Sequence, residues 1–478
     1  MLLFVMIACS GSQAPPPAAS LPESPARLRF EGIPLPTGDD VRSVQNTKVA
    51  HLGQRRIDID FQPLVRAGQP FGETRIGTVR TAAGAPFEPA RLGLPSEPEV
   101  CNAQDFVGLL EAHGHPWLIS HFECIRGEVY ASRLQQDAGT GSFATESTIR
   151  VDASAEGGLW NPCAGDITPW ATHLGSEEYE PDARGWQRDG TLPKGPYDPY
   201  GSYTELLRAF ASPADTSPYR YGWAPEIRLT NAQGDHQVTK HYAMGRFSHE
   251  LSVVLPDART VYQSDDGTNV GWFLFVADTA GDLSAGTLYA AQWKVEADED
   301  QGGRGPVQWV SLGHATDAEI AGLIDAGVRF EDLFEAVEPT SPGVCPESFD
   351  AVRTPWRWEC LKLAAPSERV PEPAKAASRL ESRRYAGLRG ATLEFRKGEG
   401  VTYNPDRKQI YVAMSEISKS MSVEAGVPEA LDTLRLAPNP CGVVYGGALQ
   451  GGVSDTDGTL IASDVIHGPP LTTGNRST

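Results

Sequence analysis

Two stretches of the chain concentrate side chains that could do chemistry. The first is Asn161-Pro-Cys163-Ala-Gly-Asp166-Ile-Thr168-Pro-Trp170-Ala-Thr-His173-Leu-Gly-Ser176-Glu177-Glu178-Tyr179. A thiol, two adjacent carboxylates and several hydroxyls share a segment bent by Gly and Pro, so loop ends can converge on one cation. A thiolate suits a softer transition metal, whereas paired carboxylates suit calcium or a ferric ion. Spacing alone makes this a weak signal, because a lone buried cysteine is more often inert filling and Glu-Glu more often solvated surface.

The second stretch is Lys240-His241-Tyr-Ala-Met-Gly245-Arg246-Phe-Ser248-His249-Glu250, followed by Thr260-Val-Tyr262-Gln-Ser-Asp265-Asp266-Gly267-Thr-Asn269. A loop ends in His-Glu, a strand follows, and that strand ends in Asp-Asp-Gly, which brings two acidic clusters to neighbouring strand ends. Taken singly, Asp265-Asp266-Gly267 reads as a β-turn, which Asp and Gly favour for their own backbone reasons. His249 alone reads as a satisfied surface or core histidine. Arg246, beside the His-Glu pair, offers paired N–H donors that could steady a phosphate, with a structural salt bridge as an equal reading.

The elements that must carry these residues are short. Apolar or β-branched runs at Pro116 to Phe122, Glu128 to Leu134, Glu226 to Leu229, Thr260 to Ser264, Trp272 to Ala277, Thr287 to Trp293, Val307 to Leu312 and Gln409 to Met414 alternate with Gly, Pro, Asp and Asn turns. Many short strands at irregular spacing predict a β-propeller or a large sandwich. Helices are few. Thr316-Asp-Ala-Glu319 is a capping box opening an apolar-periodic run that stops at Gly327, and a basic helical stretch runs from about Pro373 to Tyr385, read as a solvated helix on the β body. With 478 residues, 49 Gly and 38 Pro, one large domain built around an axis competes with two or three conventional domains.

A formal net charge of -21 argues against broad contact with a nucleic-acid backbone. The apolar start, Met1 to Ala8 before Cys9, followed by a Pro/Ala/Ser-rich stretch, reads as a lipoprotein-type export signal over residues 1–9 and a flexible tether over 10–30. The folded part is then a single domain over 31–478. Export permits disulfides, and Cys345 with Cys360 is the first pair to expect, Cys101 with Cys124 the second. If Cys163 binds a metal, Cys441 is left without a mate.

Taken together, Cys-Ala-Gly-x-x-Thr-Pro-Trp-x-Thr-x-Leu-x-x-Glu-Glu from Cys163, Gly-Arg-Phe-Ser-His-Glu from Gly245, and the strand-ending Asp265-Asp266 resemble, in order, the signature blocks of PhoX-type alkaline phosphatases. Arg396-Lys-Gly-Glu399-Gly400 through Asn404-Pro405 to Tyr411, and His121-Phe-Glu123, are looser matches, the second to the family's Asn-His-Glu block. The resemblance spans roughly residues 95 to 450. It implies an all-β chain with small helical insertions, folded as a six-bladed β-propeller around calcium and iron. It also implies Cys163 as an iron ligand, and Glu177, Glu178, Glu250, Asp265, Asp266 and Glu399 as further metal ligands, with Arg246 and His249 as catalytic candidates. Two departures stand out. The chain runs only to Thr478 after Cys441, which suggests an incomplete last blade, and Gly398 occupies a position where a bulkier residue is expected.

The implied reaction is hydrolysis of phosphate monoesters by a monomeric protein, periplasmic, secreted or anchored through a lipid on Cys9. Clustered cations neutralise the phosphoryl oxygens and activate water, and no G-x-S-x-G, P-loop or H-E-x-x-H pattern offers another route. Two rivals remain: a non-enzymatic calcium-binding propeller that presents loops to a partner, and a phosphodiesterase or phytase-like esterase on the same metals. A cysteine in the site favours chemistry over structural calcium, which needs oxygen ligands alone.

Overall fold

The computed structural model describes residues 27–42, 45–87, 100–124, 127–186, 217–296, 302–449 and a short strand at 466–467. The expected signal segment and most of the expected tether lie outside the described residues. The chain divides into two compact units, Met1–Leu64 and Val65–Thr478. In the first, β1 (Leu28–Phe30), β2 (Val49–Leu52) and β3 (Arg55–Asp58) form an antiparallel sheet, so the end of the expected tether is a strand. Leu28 and Phe30 on it are more than half exposed.

The second unit is a succession of antiparallel sheets. A hairpin of β4 (Pro70–Phe71) and β5 (Thr74–Arg75) precedes a meander of β6 (Gln104–Ala112), β7 (His115–Phe122), β8 (Glu128–Gln136) and β9 (Phe143–Arg150). The next sheet orders β10 (Asp166–Ile167), β11 (His173–Leu174), β12 (Ala224–Leu229) and β13 (His236–His241). A third begins with β14 (His249–Val254) and β15 (Thr260–Asp265). After the short β16 (Thr268–Val270) it continues through β17 (Trp272–Thr279), β18 (Asp282–Trp293) and β19 (Val307–Thr316). Then β20 (Phe334–Val337), β21 (Asp350–Arg353) and β22 (Trp358–Leu363) pair with β22 in the middle, and β23 (Phe395–Arg396) pairs with β16. The last sheet holds β24 (Gly398–Asn404), β25 (Gln409–Met414), β26 (Val443–Ala448) and β27 (Ile466–His467).

Four of these sheets stack face to face in chain order. Trp117, Ile119 and Val129 of the β6–β9 sheet share a core with Ile227, Leu229 and Val238 of the next. Leu174 and Trp223 then meet Phe273, Phe275 and Leu288 of the third sheet, and on its other face Tyr262, Trp272 and Trp309 meet Val401, Val412 and Tyr445 of the last. A sheet covered on both faces needs apolar residues at successive positions, which is why Trp272–Thr279 reads Trp-Phe-Leu-Phe-Val-Ala before its first exposed residue. The first strands of the four sheets, β6, β10, β14 and β24, lie side by side.

Three α-helices are present among the described residues, so the chain is mostly β with helical insertions. Helix α1 (Asp317–Asp325) starts at the Thr316/Glu319 capping box, and the chain leaves it through Gly327 at φ 71°. The basic stretch departs from the solvated helix expected of it. It is two helices, α2 (Pro373–Leu380) and α3 (Ser382–Leu388), broken at Glu381, and Arg379 and Arg384 are fully buried. Arg379 donates to the carbonyls of Ala243, Gly286 and Gly313, while Arg384 pairs with Glu359, Glu381 and Asp182. Buried guanidinium is tolerated where every donor finds an acceptor.

Both expected disulfides are present, Cys101–Cys124 and Cys345–Cys360, and Cys163 and Cys441 are free. No helix of the described residues is long and apolar enough to cross a membrane.

Candidate metal centre

Acids from three of the stacked sheets lie near the starts of their first strands, and loops of the second sheet bring a thiol and a further acid to them. Asp105 lies on β6, Glu250 on β14 and Glu399 on β24, and each falls within a register shift, between Gln104 and Val107, His249 and Ser252, and Gly398 and Gly400. A bulge adds a residue to one strand and re-aims its side chain, so the same local device turns three acids inward. The loop before β10 supplies Cys163, the segment after β11 supplies Glu178, the turn after β15 supplies Asp266, and Glu123 follows β7. Backbone bonds tie these loops together: Glu178 N–H donates to Asn161 O (3.1 Å), and Asp266 N–H to Ser248 O (3.0 Å).

The result is a set of overlapping donor groups. Asp105, Cys163 and Glu250 form one, Glu123, Cys163 and Glu178 a second, and Glu178, Glu250 and Asp266 a third, with the donor atoms of each within 4.8 Å of one another. Cys163 Sγ is the hub, 3.3 Å from both Glu250 oxygens and 3.5 Å from Asp105 Oδ2. Asn161 Nδ2 donates to Glu178 (3.3 Å) and to Glu123 (3.4 Å). Among the described residues the one basic side chain bonded here is Lys397, 2.6 Å from Glu399 and 3.6 Å from Asp266.

The electrostatics are those of acids in surplus. Burial, then repulsion from Asp266 and Glu399, pushes Glu250 up to about 9. Burial with Glu250 and Asp266 alongside holds Glu178 well above the carboxylate range, and burial with Asp105 raises Glu123. The Cys163 thiol is driven far up by burial and by Glu178 and Glu250. Asp266 Oδ1 is buried without a hydrogen-bond partner. Several acidic groups that cannot all ionise together fit a bound multivalent cation, which reverses each of these shifts.

The expected ligands divide into two sets. Cys163, Glu178, Glu250 and Asp266 come together, with Glu399 at the edge through Lys397. Glu177 does not join them. Its carboxylate accepts from the N–H groups of Trp160 (2.9 Å), Gly222 (3.0 Å) and Trp223 (3.1 Å), and it pairs with buried Lys240 at 2.8 Å. Asp265 is likewise occupied, by Arg383 Nε (2.8 Å) and Nη2 (2.5 Å) and by Gly271 N–H, and burial against these contacts leaves it at about 6.

Neither catalytic candidate lies in these donor groups. Arg246 is buried with its guanidinium spent on the carbonyls of Tyr221 (2.7 Å), Pro181 (2.6 Å) and Pro218 (3.0 Å). His249 donates through Nε2 to Gly245 O at 2.9 Å and stacks on Phe247, and burial lowers it to about 3, which keeps it neutral. Gly398, in turn, has a steric reason: a Cβ there would come within 3.1 Å of Asp265 O.

Asp105 and Lys397 are not singled out by sequence reasoning, and Glu123 enters it only through a resemblance. The signal for Asp105 and Glu123 is indirect: they stand beside Cys101 and Cys124, whose disulfide closes the open end of the β6–β7 hairpin. Behind the site His121 Nδ1 donates to Cys163 O at 2.6 Å, and its Nε2 then accepts from His173 Nε2 at 2.7 Å. That chain fixes both tautomers and the Cys163 backbone.

A thiol and surplus acids at the meeting of stacked β-sheets define the class as a β-sheet protein with a candidate hydrolytic metal centre. The family follows from comparison: the model for alkaline phosphatase PhoX matches residues 130–434, and the chain belongs to that family of phosphoric monoester hydrolases. Among solved structures it is similar to Pseudomonas fluorescens PhoX in complex with vanadate, a transition state analogue, with a TM-score of 0.50 and 17% identity over 84% of this chain and 71% of that one. A 6-phosphogluconolactonase-like protein from Bacteroides uniformis is far less similar, with a TM-score of 0.25 and 10% identity over 84% and 80% of the two chains. No curated protein matches.

Proposed function

We propose that this chain is an exported phosphomonoesterase whose calcium and iron are held by Asp105, Glu123, Cys163, Glu178, Glu250 and Asp266, with Glu399 as an edge ligand. The observation that carries the reading is the cluster of buried acids around one thiol, more acid than its own cations balance, in a chain of the alkaline phosphatase PhoX family. The thiol favours iron at its own position and the all-oxygen positions favour calcium. Bound cations supply the positive charge that phosphoryl oxygens need and lower the pKa of water toward neutrality.

The protein's own residues do the rest. Lys397, between Glu399 and Asp266, is placed to donate to a phosphate oxygen at the rim. Asn161 orients Glu123 and Glu178 by bonding to both. Glu177 and Asp265 are positioning residues: each fixes the backbone beside a ligand, through Lys240 and Arg383 respectively. The face-to-face succession of sheets around β6, β10, β14 and β24 supports a β-propeller reading of the second unit, of six blades by resemblance. Two disulfides support an oxidising compartment outside the cytosol.

The test is release of p-nitrophenol from p-nitrophenyl phosphate at alkaline pH, with and without chelator, beside elemental analysis of the purified protein. Chelator-sensitive turnover with bound iron and calcium is expected. Protein that contains neither iron nor activity would sink the reading.

A further inference from the structure

The second unit has a cleft of about 560 Å³ whose lining includes none of the acid-group residues. Trp293 and Lys294 at the end of β18, Arg353 at the end of β21 and Trp358 at the start of β22 line it. The turn after α3 adds Gly390 and Leu393. Gly390 has φ 81°, a backbone that excludes most side chains and keeps this wall bare.

Its charge is the reverse of the metal group's. The one acid in the lining, Glu394, is already spent: Oε2 accepts from the N–H groups of Thr433 (2.7 Å) and Leu434 (2.8 Å), and Oε1 from Thr433 Oγ1 (2.5 Å). The donors are only partly spent. Trp358 is 8% exposed and its Nε1 is buried without an acceptor, as is Nε of Arg353. The Arg353 guanidinium lies 5.4 Å from the Trp358 ring centroid and reaches Glu424 only at 3.5 Å. Lys294 makes no ion pair among the described residues. A guanidinium with donors left over and an unpaired ammonium at one cleft mark a place where an acidic acceptor fits.

We propose that this cleft is a second binding site, for a small organic anion. Its acidic oxygens would accept from the Arg353 guanidinium and from Lys294, while an apolar body lies along Trp293, Val352 and Leu393. An aromatic or short aliphatic carboxylate, sulfonate or phosphate has this form; an uncharged body of the same shape lacks the acceptor.

The probe is 8-anilinonaphthalene-1-sulfonate, titrated into the full chain by its fluorescence beside its uncharged parent, 1-anilinonaphthalene. Saturable binding of the sulfonate is expected, at least about tenfold tighter than the parent, since one charge-assisted hydrogen bond is worth that much. Arg353→Gln is expected to weaken the sulfonate about tenfold and Lys294→Gln about threefold, with the parent unmoved. Equal binding of the two dyes, or sulfonate binding unchanged in the variants, overturns the proposal. Lys294 is exposed, so Lys294→Gln keeps the test decisive where circular dichroism finds Arg353→Gln unfolded. No readout depends on phosphatase turnover, so the site stands or falls apart from the metal centre.

Discussion

The cluster at Arg384 and the cluster at Cys163 are both buried and both rich in carboxylates, yet they balance charge differently. Around Arg384, three acids meet three guanidinium groups: Glu359 with Arg384 (2.7 Å) and Arg184 (3.0 Å), Glu381 with Arg384 (2.6 Å), and Asp182 with Arg384 (2.9 Å) and Arg357. Around Cys163, five acids and a thiol face one lysine at the rim. A fold that neutralises one buried cluster and leaves another in surplus has reserved the second for charge from outside. Paired acids hold elements together, and unpaired acids hold a ligand.

The largest effect that sharpens this contrast is expected at Glu250. Glu250→Gln should lower phosphatase activity by about 10²–10³-fold, since it removes charge from two of the three donor groups. In metal-free protein the same change relieves repulsion, so its melting temperature should hold or rise. A variant that keeps full turnover, or that melts well below the parent without metal, would break the comparison.

Next in size is Arg384→Ala. It takes one guanidinium from three buried carboxylates and leaves Glu381, among the described residues, with only the Tyr219 hydroxyl, so it should cost about 3–5 kcal/mol in urea unfolding, whether or not metal is present. A loss that appears only in the loaded protein would mean the two clusters are not separate. Chelation should act on the other cluster alone, lowering the melting temperature by roughly 5 °C as bound cations are withdrawn. Readdition of calcium and iron should restore it.

The smallest effect concerns a paired site with a titratable cation. Burial pulls His241 down, but the hydrogen bonds it donates to Asp317 (3.1 Å) and Glu226 (3.0 Å) outweigh it and raise the imidazole to about 9. Its folded value lies above the ordinary 6.5, so the stabilisation is complete below pH 6.5 and is lost as pH rises through 9. Parent protein should lose up to roughly 3 kcal/mol across that window, and His241→Gln should lose visibly less. Parallel melting curves between pH 6 and 9.5 would contradict it.

Much of the fold was legible because its signals are local. Strands such as Gln409–Met414 are bounded by turn residues, and α1 begins at its capping box. The buried arginines of α2 and α3 were not, since nothing local shows that Glu359 and Asp182 return from elsewhere in the chain to meet them. The site shows the same division. Compound motifs pointed to Cys163, Glu178, Glu250 and Asp266, but could not separate Glu178 from Glu177 or Asp266 from Asp265. Successive side chains of extended backbone point to opposite sides, so one acid of each pair faces the group and the other meets Lys240 or Arg383. Which side a cation waits on is a tertiary fact. Asp105 was hidden for the complementary reason: a bulge aims it, and bulges leave no residue signature here.

The disulfide at the mouth of the β6–β7 hairpin braces two of the site's acids. Cys101 and Cys124 bracket Asp105 and Glu123, at the end where pairing is interrupted by a bulge and Glu123 N–H reaches back to Ala103 O at 2.7 Å. The disulfide closes the strand ends that carry both acids. The crosslink thus acts as a clasp, holding Asp105 and Glu123 in register at a hairpin end that backbone pairing alone leaves open.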